Sequence, residues 1–273
     1  MADKPLLLGA ATEYPDHYSP EVLHPIPRRE GREALGISPE PPFFGVDLWT
    51  GYELSWLDLK GKPLVAVAEI AIPCDSVNLV ESKSLKLYLN SLNQERYRTP
   101  QDVVALLEKD IADCVGGPVQ VDIHMGDSYR HRGVAAFPGI CLDDLPIEVD
   151  SYSPDPTLLD FGEKLGQVTE SLYSHLLKTN CPVTGQPDWA SILIRYTGRP
   201  IDREGLLRYL ISFRNHQDFH EQCVERIFME INDLCAPEHL EVYARYTRRG
   251  GLDINPFRSS SKMNAPSLRL ARQ

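Results

Sequence analysis

The chain is predicted to be an α+β protein made of antiparallel sheets with helices on one face. Three observations carry that prediction. An aromatic-rich extended stretch, Phe43 to Leu59, is followed by the turn signal Lys60-Gly61-Lys62-Pro63 and the apolar run Leu64 to Ile72. Pairs of helix-period segments come next. A strand pattern then returns after each pair. Each half of the chain therefore reads strand, strand, helix, helix, strand, strand, a repeat of element order with little repeat of residues.

The elements follow in order. Residues 1 to 45 are proline-rich and read as an irregular arm. Residues 43 to 73 read as a β-hairpin. Leu85, Tyr88, Leu89 and Leu92 recur at i, i+3, i+4 and i+7, which predicts a helix. A second helix is expected over about Gln101 to Cys114, with Thr99 as cap, Pro100 at its first position and Gly116-Gly117 as its stop. Val119 to Met125 alternates as a strand, and Val134 to Val149 is expected to supply another. Glu170 to Leu177 fits either helix or strand. After turn chemistry at 180 to 188, Ala190 to Tyr196 reads as a strand. Helices are expected over about 203 to 214 and 218 to 235, and Leu240 to Tyr246 as a strand.

At 273 residues the chain fits one large domain or two of about 135 each. No apolar run approaches the roughly 18 residues a membrane span needs, and Leu6-Leu7-Leu8 is too short for a signal peptide. The expected compartment is the cytosol. Cys74, Cys114, Cys141, Cys181, Cys223 and Cys235 include no Cys-x-x-Cys pair, so free thiols are expected and no metal site is. The formal charge of −11 is uneven. Arg245 to Gln273 holds seven basic residues against Asp253, a tail of +6 on a body of −17. An acidic body argues against general nucleic-acid binding. The basic tail fits a phosphorylated ligand, an acidic subunit face, or a solvated chain end.

Four stretches could carry chemistry. Cys181 lies between turn-forming residues, with Asp188 seven positions on. A thiolate there is a nucleophile and the acid a proton source, or the stretch is an inert loop. His220 shares a helical stripe with Val224, Ile227 and Ile231, so it is either a satisfied core histidine or a group aimed into a pocket. Asp218 and Glu221 have capping-box spacing, which offers Glu221 a structural role. His216 and His220 are four apart, a spacing that binds metal if one helix carries both, but the capping signal at Asp218 starts the helix between them and Cys223 lies on the far side of His220. In Glu81-Ser82-Lys83-Ser84-Leu85-Lys86, two serines offer helix caps. Lys83 and Lys86 then share a side near free N–H groups, as a phosphate seat or as ordinary solvated lysines. Glu81 could pair with those lysines or accept from a purine-like edge. No Gly-x-Gly-x-x-Gly, P-loop or Gly-x-Ser-x-Gly motif occurs.

Taken jointly, ESKSLKLYLNS (81–91), CPVTGQPDW (181–189), FHEQCVERIF (219–228) and YTRRGGLDINP (246–256) resemble the NADPH-dependent 7-cyano-7-deazaguanine reductases, the nitrile reductases of queuosine biosynthesis. The resemblance covers nearly the whole chain and is strongest to the long subgroup with two fused tunnelling-fold halves. It implies an arm at 1–42, a first half at 43–150 carrying the Glu-Ser-Lys-Ser element, and a second at 151–273 carrying the catalytic residues. The pocket is then expected to need both halves. It implies four-electron reduction of a nitrile to a primary amine, with Cys181 as nucleophile, Asp188 as general acid and His220 beside the nitrile. Substrate contacts fall on Glu81, Ser82, Lys83, His220 and Glu221, with Glu81 or Glu221 holding the guanine-type edge. NADPH contacts fall on Lys83, Ser84, Arg249 and Gly250. The implied partners are a small 7-deazapurine and a second copy in a homodimer, with no direct nucleic acid and no membrane. Two rivals remain: a zinc-dependent pterin cyclohydrolase on the same fold, and a non-catalytic assembly or binding module.

Overall fold

The structure is a computed structural model that describes residues 14–131, 133–163 and 165–273. It divides into two compact units. One takes in the chain up to Glu40, Asp47–Gly133 and Arg248–Ile254; the other takes in Pro41–Val46, Val134–Thr247 and Asn255–Gln273. The class is mixed α+β with antiparallel pairing predominant, as the sequence predicts.

In the first unit, β1 (Pro25–Pro27) leads into α1 (Arg28–Ala34). The long strands β2 (Phe44–Leu57) and β3 (Pro63–Pro73) are joined by the expected turn. Asp58 closes it, accepting from the N–H groups of Lys60 and Lys62, while Gly61 takes φ +85°. Then come β4 (Asn78–Val80), α2 (Ser82–Ser91), α3 (Pro100–Val115) and β5 (Gln120–Met125). The strand order is β5-β3-β2, with β3 and β5 antiparallel. Ala66, Ala68, Ile70 and Ile72 point inward at period two, against Leu85, Tyr88, Val103, Leu107 and Ile111. Thr99 and Asp102 form a full capping box on α3, and Gly116 ends it at φ +68°. At the helix interface, Tyr18 and Tyr88 both donate to the buried Asp110.

The arm is more ordered than its prolines suggest. β1 pairs with β4, and the Arg28 guanidinium forms a buried ion pair with Asp47 at 2.6 Å. A long-range partner of this kind leaves no local sequence signal. Residues 1–13 of the arm lie outside the described residues.

In the second unit, residues 134–149 supply two short strands, β6 (Val134–Ala135) and β7 (Ile140–Cys141), of two residues each. Pro138, Pro146 and Gly139 at φ +107° interrupt the stretch, and a side chain on Gly139 would collide with the Ser171 carbonyl. The ambiguous stretch resolves as strand β8 (Val168–Ser174). β9 (Lys178–Asn180), β10 (Pro187–Gly198), α4 (Arg203–Ser212), α5 (His220–Cys235), β11 (His239–Tyr246), β12 (Leu252–Ser259) and β13 (Arg269–Leu270) complete the chain. The order is β12-β11-β10-β8-β7, with β9 paired to the start of β10. α5 packs its apolar stripe, Val224, Ile227, Phe228 and Ile231, toward β11.

The basic tail is not a free cationic patch. Arg258 is fully buried against Glu225 at 2.8 Å, and Arg245 donates to Gln273 and Tyr243. Arg272 donates to the carbonyls of His175 and Ala190. Three of its seven charges are thereby used inside the second unit.

Candidate active site

The second unit places Cys181, Asp188 and His220 by backbone hydrogen bonding. β9 and β10 form a tight hairpin in which Asp188 lies opposite Thr179 and Pro187 opposite Asn180. The connecting loop closes on itself: Cys181 N–H donates to the Gln186 carbonyl and Gly185 N–H to the Cys181 carbonyl, both at 2.9 Å. Gly185 reaches the left-handed φ of +67° that this closure requires. Cys181 therefore begins the loop and Asp188 follows it.

A second set of bonds brings in α5. Asn180 N–H donates to the His216 carbonyl at 2.8 Å, and Asp218 N–H donates to the Asn180 carbonyl at 3.2 Å. The stretch that leads into α5 is thus stitched to the residue just before Cys181. His220, the first residue of α5, ends with Nε2 3.9 Å from Asp188 Oδ1. Its ring packs edge-on to Tyr246 with centroids 4.0 Å apart. Cys181 and Asp188 are 4% and 6% exposed, so both sit under cover where charge is weakly screened. Glu221, also buried, occupies the first turn of α5, where the helix dipole favours a carboxylate.

The helix start differs from expectation. Phe219 is the N-cap residue with no side-chain cap, and Asp218 instead accepts from Phe219 N–H. The Asp218–Glu221 capping box is not formed, so Glu221 is not spent as its partner. Nor do His216, His220 and Cys223 gather as a metal cluster among the described residues. Burial pushes the Cys223 thiol up to about 12, aided by the charge of Asp218, so it stays protonated near neutral pH. His216 instead lies 3.3 Å from Asp218.

The first unit holds the other group. Glu81, not a serine, is the N-cap of α2: its two oxygens accept from Lys83 N–H at 2.9 Å and Ser84 N–H at 2.8 Å. The N–H groups expected to be free for phosphate are therefore occupied by a carboxylate. Burial raises the Glu81 pKa, although the two backbone bonds oppose the shift. Ser84 is buried, donating to the Glu81 carbonyl and accepting from His24 N–H. Ser82 and Lys83 are partly exposed on the first turn.

Arg249 and Leu252 close a tight turn across Gly250 and Gly251, at φ +61° and +79°. A cleft beside this turn is lined by Lys86, Asn90, Glu53 and both glycines. A side chain on Gly250 would meet Lys86 Nζ at 2.7 Å, so the glycine keeps open a cradle beside an ammonium group. Glu53, Asn90 and Gly251 were not singled out from the sequence. The paired glycines at 250–251 were the available signal for this turn.

Comparisons with known proteins agree with one family over the whole chain. Residues 14–123 match the profile described as "Nitrile reductase, 7-cyano-7-deazaguanine-reductase N-term", and residues 187–265 match "QueF-like protein". The chain is 54% identical to the NADPH-dependent 7-cyano-7-deazaguanine reductase of Azoarcus sp. (strain BH72) over 93% of this chain and 90% of that one. It is 55% identical to the protein of that name from Dechloromonas aromatica (strain RCB), over 95% and 92%, and 53% identical to that of Bordetella avium (strain 197N), over 100% and 99%. A crystal structure of the archaeosine synthase QueF-Like in the apo form aligns at 14% identity and TM-score 0.32, covering 37% of this chain and 99% of that one, too loose a match to bear on the site. With more than half the residues shared across nearly full length, the chain belongs to the NADPH-dependent 7-cyano-7-deazaguanine reductase family.

Proposed function

We propose that the chain reduces the nitrile of 7-cyano-7-deazaguanine to 7-aminomethyl-7-deazaguanine, in queuosine biosynthesis, through a covalent thioimide on Cys181. The observation that supports this reading best is the stitching of Asn180 to the α5 entry, which ties the residue before Cys181 to the start of the helix whose His220 lies 3.9 Å from Asp188. The Cys181 sulfur attacks the nitrile carbon while Asp188 protonates the nitrogen, giving the thioimide. NADPH, when bound, supplies two hydrides, so one nitrile, two NADPH and two protons give one primary amine and two NADP+. After the first reduction, the thiolate of Cys181 leaves and an imine remains. His220 flanks the reacting carbon and, with Asp188, exchanges the protons these steps need.

Glu221 or Glu81 accepts from the guanine-type edge, with Ser82 and Lys83 beside it. Each oxygen of Glu81 already accepts one backbone N–H in the α2 cap. Lys83, Ser84, Arg249 and Gly250 hold the cofactor. The two halves, 43–150 and 151–273, are read as tandem tunnelling folds behind the 1–42 arm, supported by their hairpin and helix-pair order. Such sheets dispose of open edges by assembling, so a homodimer is proposed, checked by sedimentation. Six free cysteines fit a reducing, cytoplasmic setting, and no helix of the described residues is long and apolar enough to cross a membrane.

Intact mass spectrometry tests the reading directly. Protein mixed with the nitrile and no NADPH should gain one substrate mass, and Cys181→Ala should not. An unmodified wild-type chain under saturating nitrile rejects the thioimide.

A further inference from the structure

At the β8 edge of the second unit, Cys141, Asp143 and His175 bring a thiol, a carboxylate and an imidazole together. Their candidate ligand atoms all lie within 4.8 Å of one another. The register explains the cluster. β7 runs parallel to β8 with Cys141 opposite Tyr173, and two residues on Asp143 accepts from His175 N–H at 3.1 and 3.2 Å.

Each side chain is held by a neighbour. Asp143 Oδ1 accepts from Ser174 Oγ at 2.6 Å. His175 Nδ1 lies 2.7 Å from Ser191 Oγ, and Ser191 in turn accepts from Arg272 at 3.1 Å. No described residue bonds His175 Nε2. An imidazole fixed through one ring nitrogen and uncommitted at the other is the arrangement a metal-binding histidine uses. The Tyr173 side chain lies beside Cys141 across the β7–β8 pair.

We propose that Cys141, Asp143 and His175 form a binding site for a zinc-class divalent ion, which clips residues 140–143 to the edge of β8. One sulfur, one nitrogen and one oxygen donor, with water as fourth ligand, is a set that zinc accepts. Magnesium and calcium, which prefer oxygen donors, are poorly served by a thiolate. The clip supplies what β7 lacks, since a two-residue strand makes few ladder bonds. Cysteine spacing hides this site because its ligands come from segments far apart in the chain. The proposal is independent of the nitrile chemistry.

The test uses the full chain without an affinity tag, stripped with chelator and reloaded with Zn2+ or Co2+. One metal per chain should survive desalting, and the Co2+ form should show thiolate-to-cobalt charge-transfer absorption. Both signals should vanish in Cys141→Ser and in Asp143→Asn, and persist in Cys181→Ala. In the unaltered chain, Zn2+ should slow alkylation of Cys141 by iodoacetamide, followed by peptide mass spectrometry, so that the answer does not rest on any variant folding. Failure to retain metal, retention in Cys141→Ser, loss in Cys181→Ala, or equal alkylation with and without Zn2+ would each overturn the site.

Discussion

His220 Nε2 stands 3.9 Å from Asp188 Oδ1, each side chain largely buried. At that separation the two groups feel each other's charge without a direct hydrogen bond. In the proposed reaction both groups act on the nitrile nitrogen.

Removing the proton from Asp188 tests this first. Asp188→Asn keeps the shape of the corner and should lower kcat by about 10²- to 10⁴-fold, the range general acids contribute. Steady-state NADPH oxidation reads it. A variant with unchanged kcat would exclude Asp188 as the proton donor.

The two cysteines of this region should differ in reactivity. Cys223 is held near 12 by burial, and its pKa being raised means it remains a thiol through the neutral range. Iodoacetamide at neutral pH should therefore label Cys181 before Cys223. Peptide mass spectrometry with the two sites resolved gives the ratio, and preferential labelling of Cys223 contradicts the assignment.

Glu81 ties stability to pH. Because burial raises its pKa in the folded state, the folded chain holds this proton more tightly than the unfolded one. Its contribution to stability is therefore greatest below the ordinary glutamate value and falls as pH rises through the folded pKa. Glu81→Gln should flatten that part of the profile in urea unfolding. Glu81→Ala, which removes the α2 cap, should cost about 0.5–2 kcal/mol.

Gly250 tests the proposed cofactor site apart from the chemistry. Gly250→Ala strains a left-handed residue by about 1–2 kcal/mol and pushes a methyl group toward Lys86 Nζ. The expected result is a raised KM for NADPH with the Cys181 adduct still formed. An unaltered KM would remove Gly250 from the cofactor site.

The buried pair Arg258–Glu225 should dominate local stability in the second unit. Glu225→Ala leaves the guanidinium of a fully buried arginine without its carboxylate, at a cost of about 3–5 kcal/mol. Denaturant melts measure it, and a loss below about 1 kcal/mol would mean that solvent reaches Arg258.

Local chemistry was legible in the sequence, and long-range pairing was not. Thr99, Pro100 and Gly116 announced both ends of α3, and Lys60 to Pro63 announced the hairpin, because caps and turns are decided within a few residues. Cys181 and Asp188 stood out for the same reason. The arm helix leaves no local signal because Arg28 depends on Asp47, and the shortness of the strands in 134–149 leaves none because Gly139 approaches Ser171 across the sheet. The α2 cap was misassigned because a glutamate reached back to N–H groups usually served by serine. The Cys141 cluster was invisible because only strand register brings its members together.

The bonds that tie Asn180 to His216 and Asp218 have a bearing on redesign. Residues 182–184 lie within a turn closed by its own ends, so exchanging their side chains should leave the backbone placement of Cys181 and Asp188 undisturbed. Changes at 216–218 would instead shift the start of α5 and the end of β9 that precedes Cys181 as one piece.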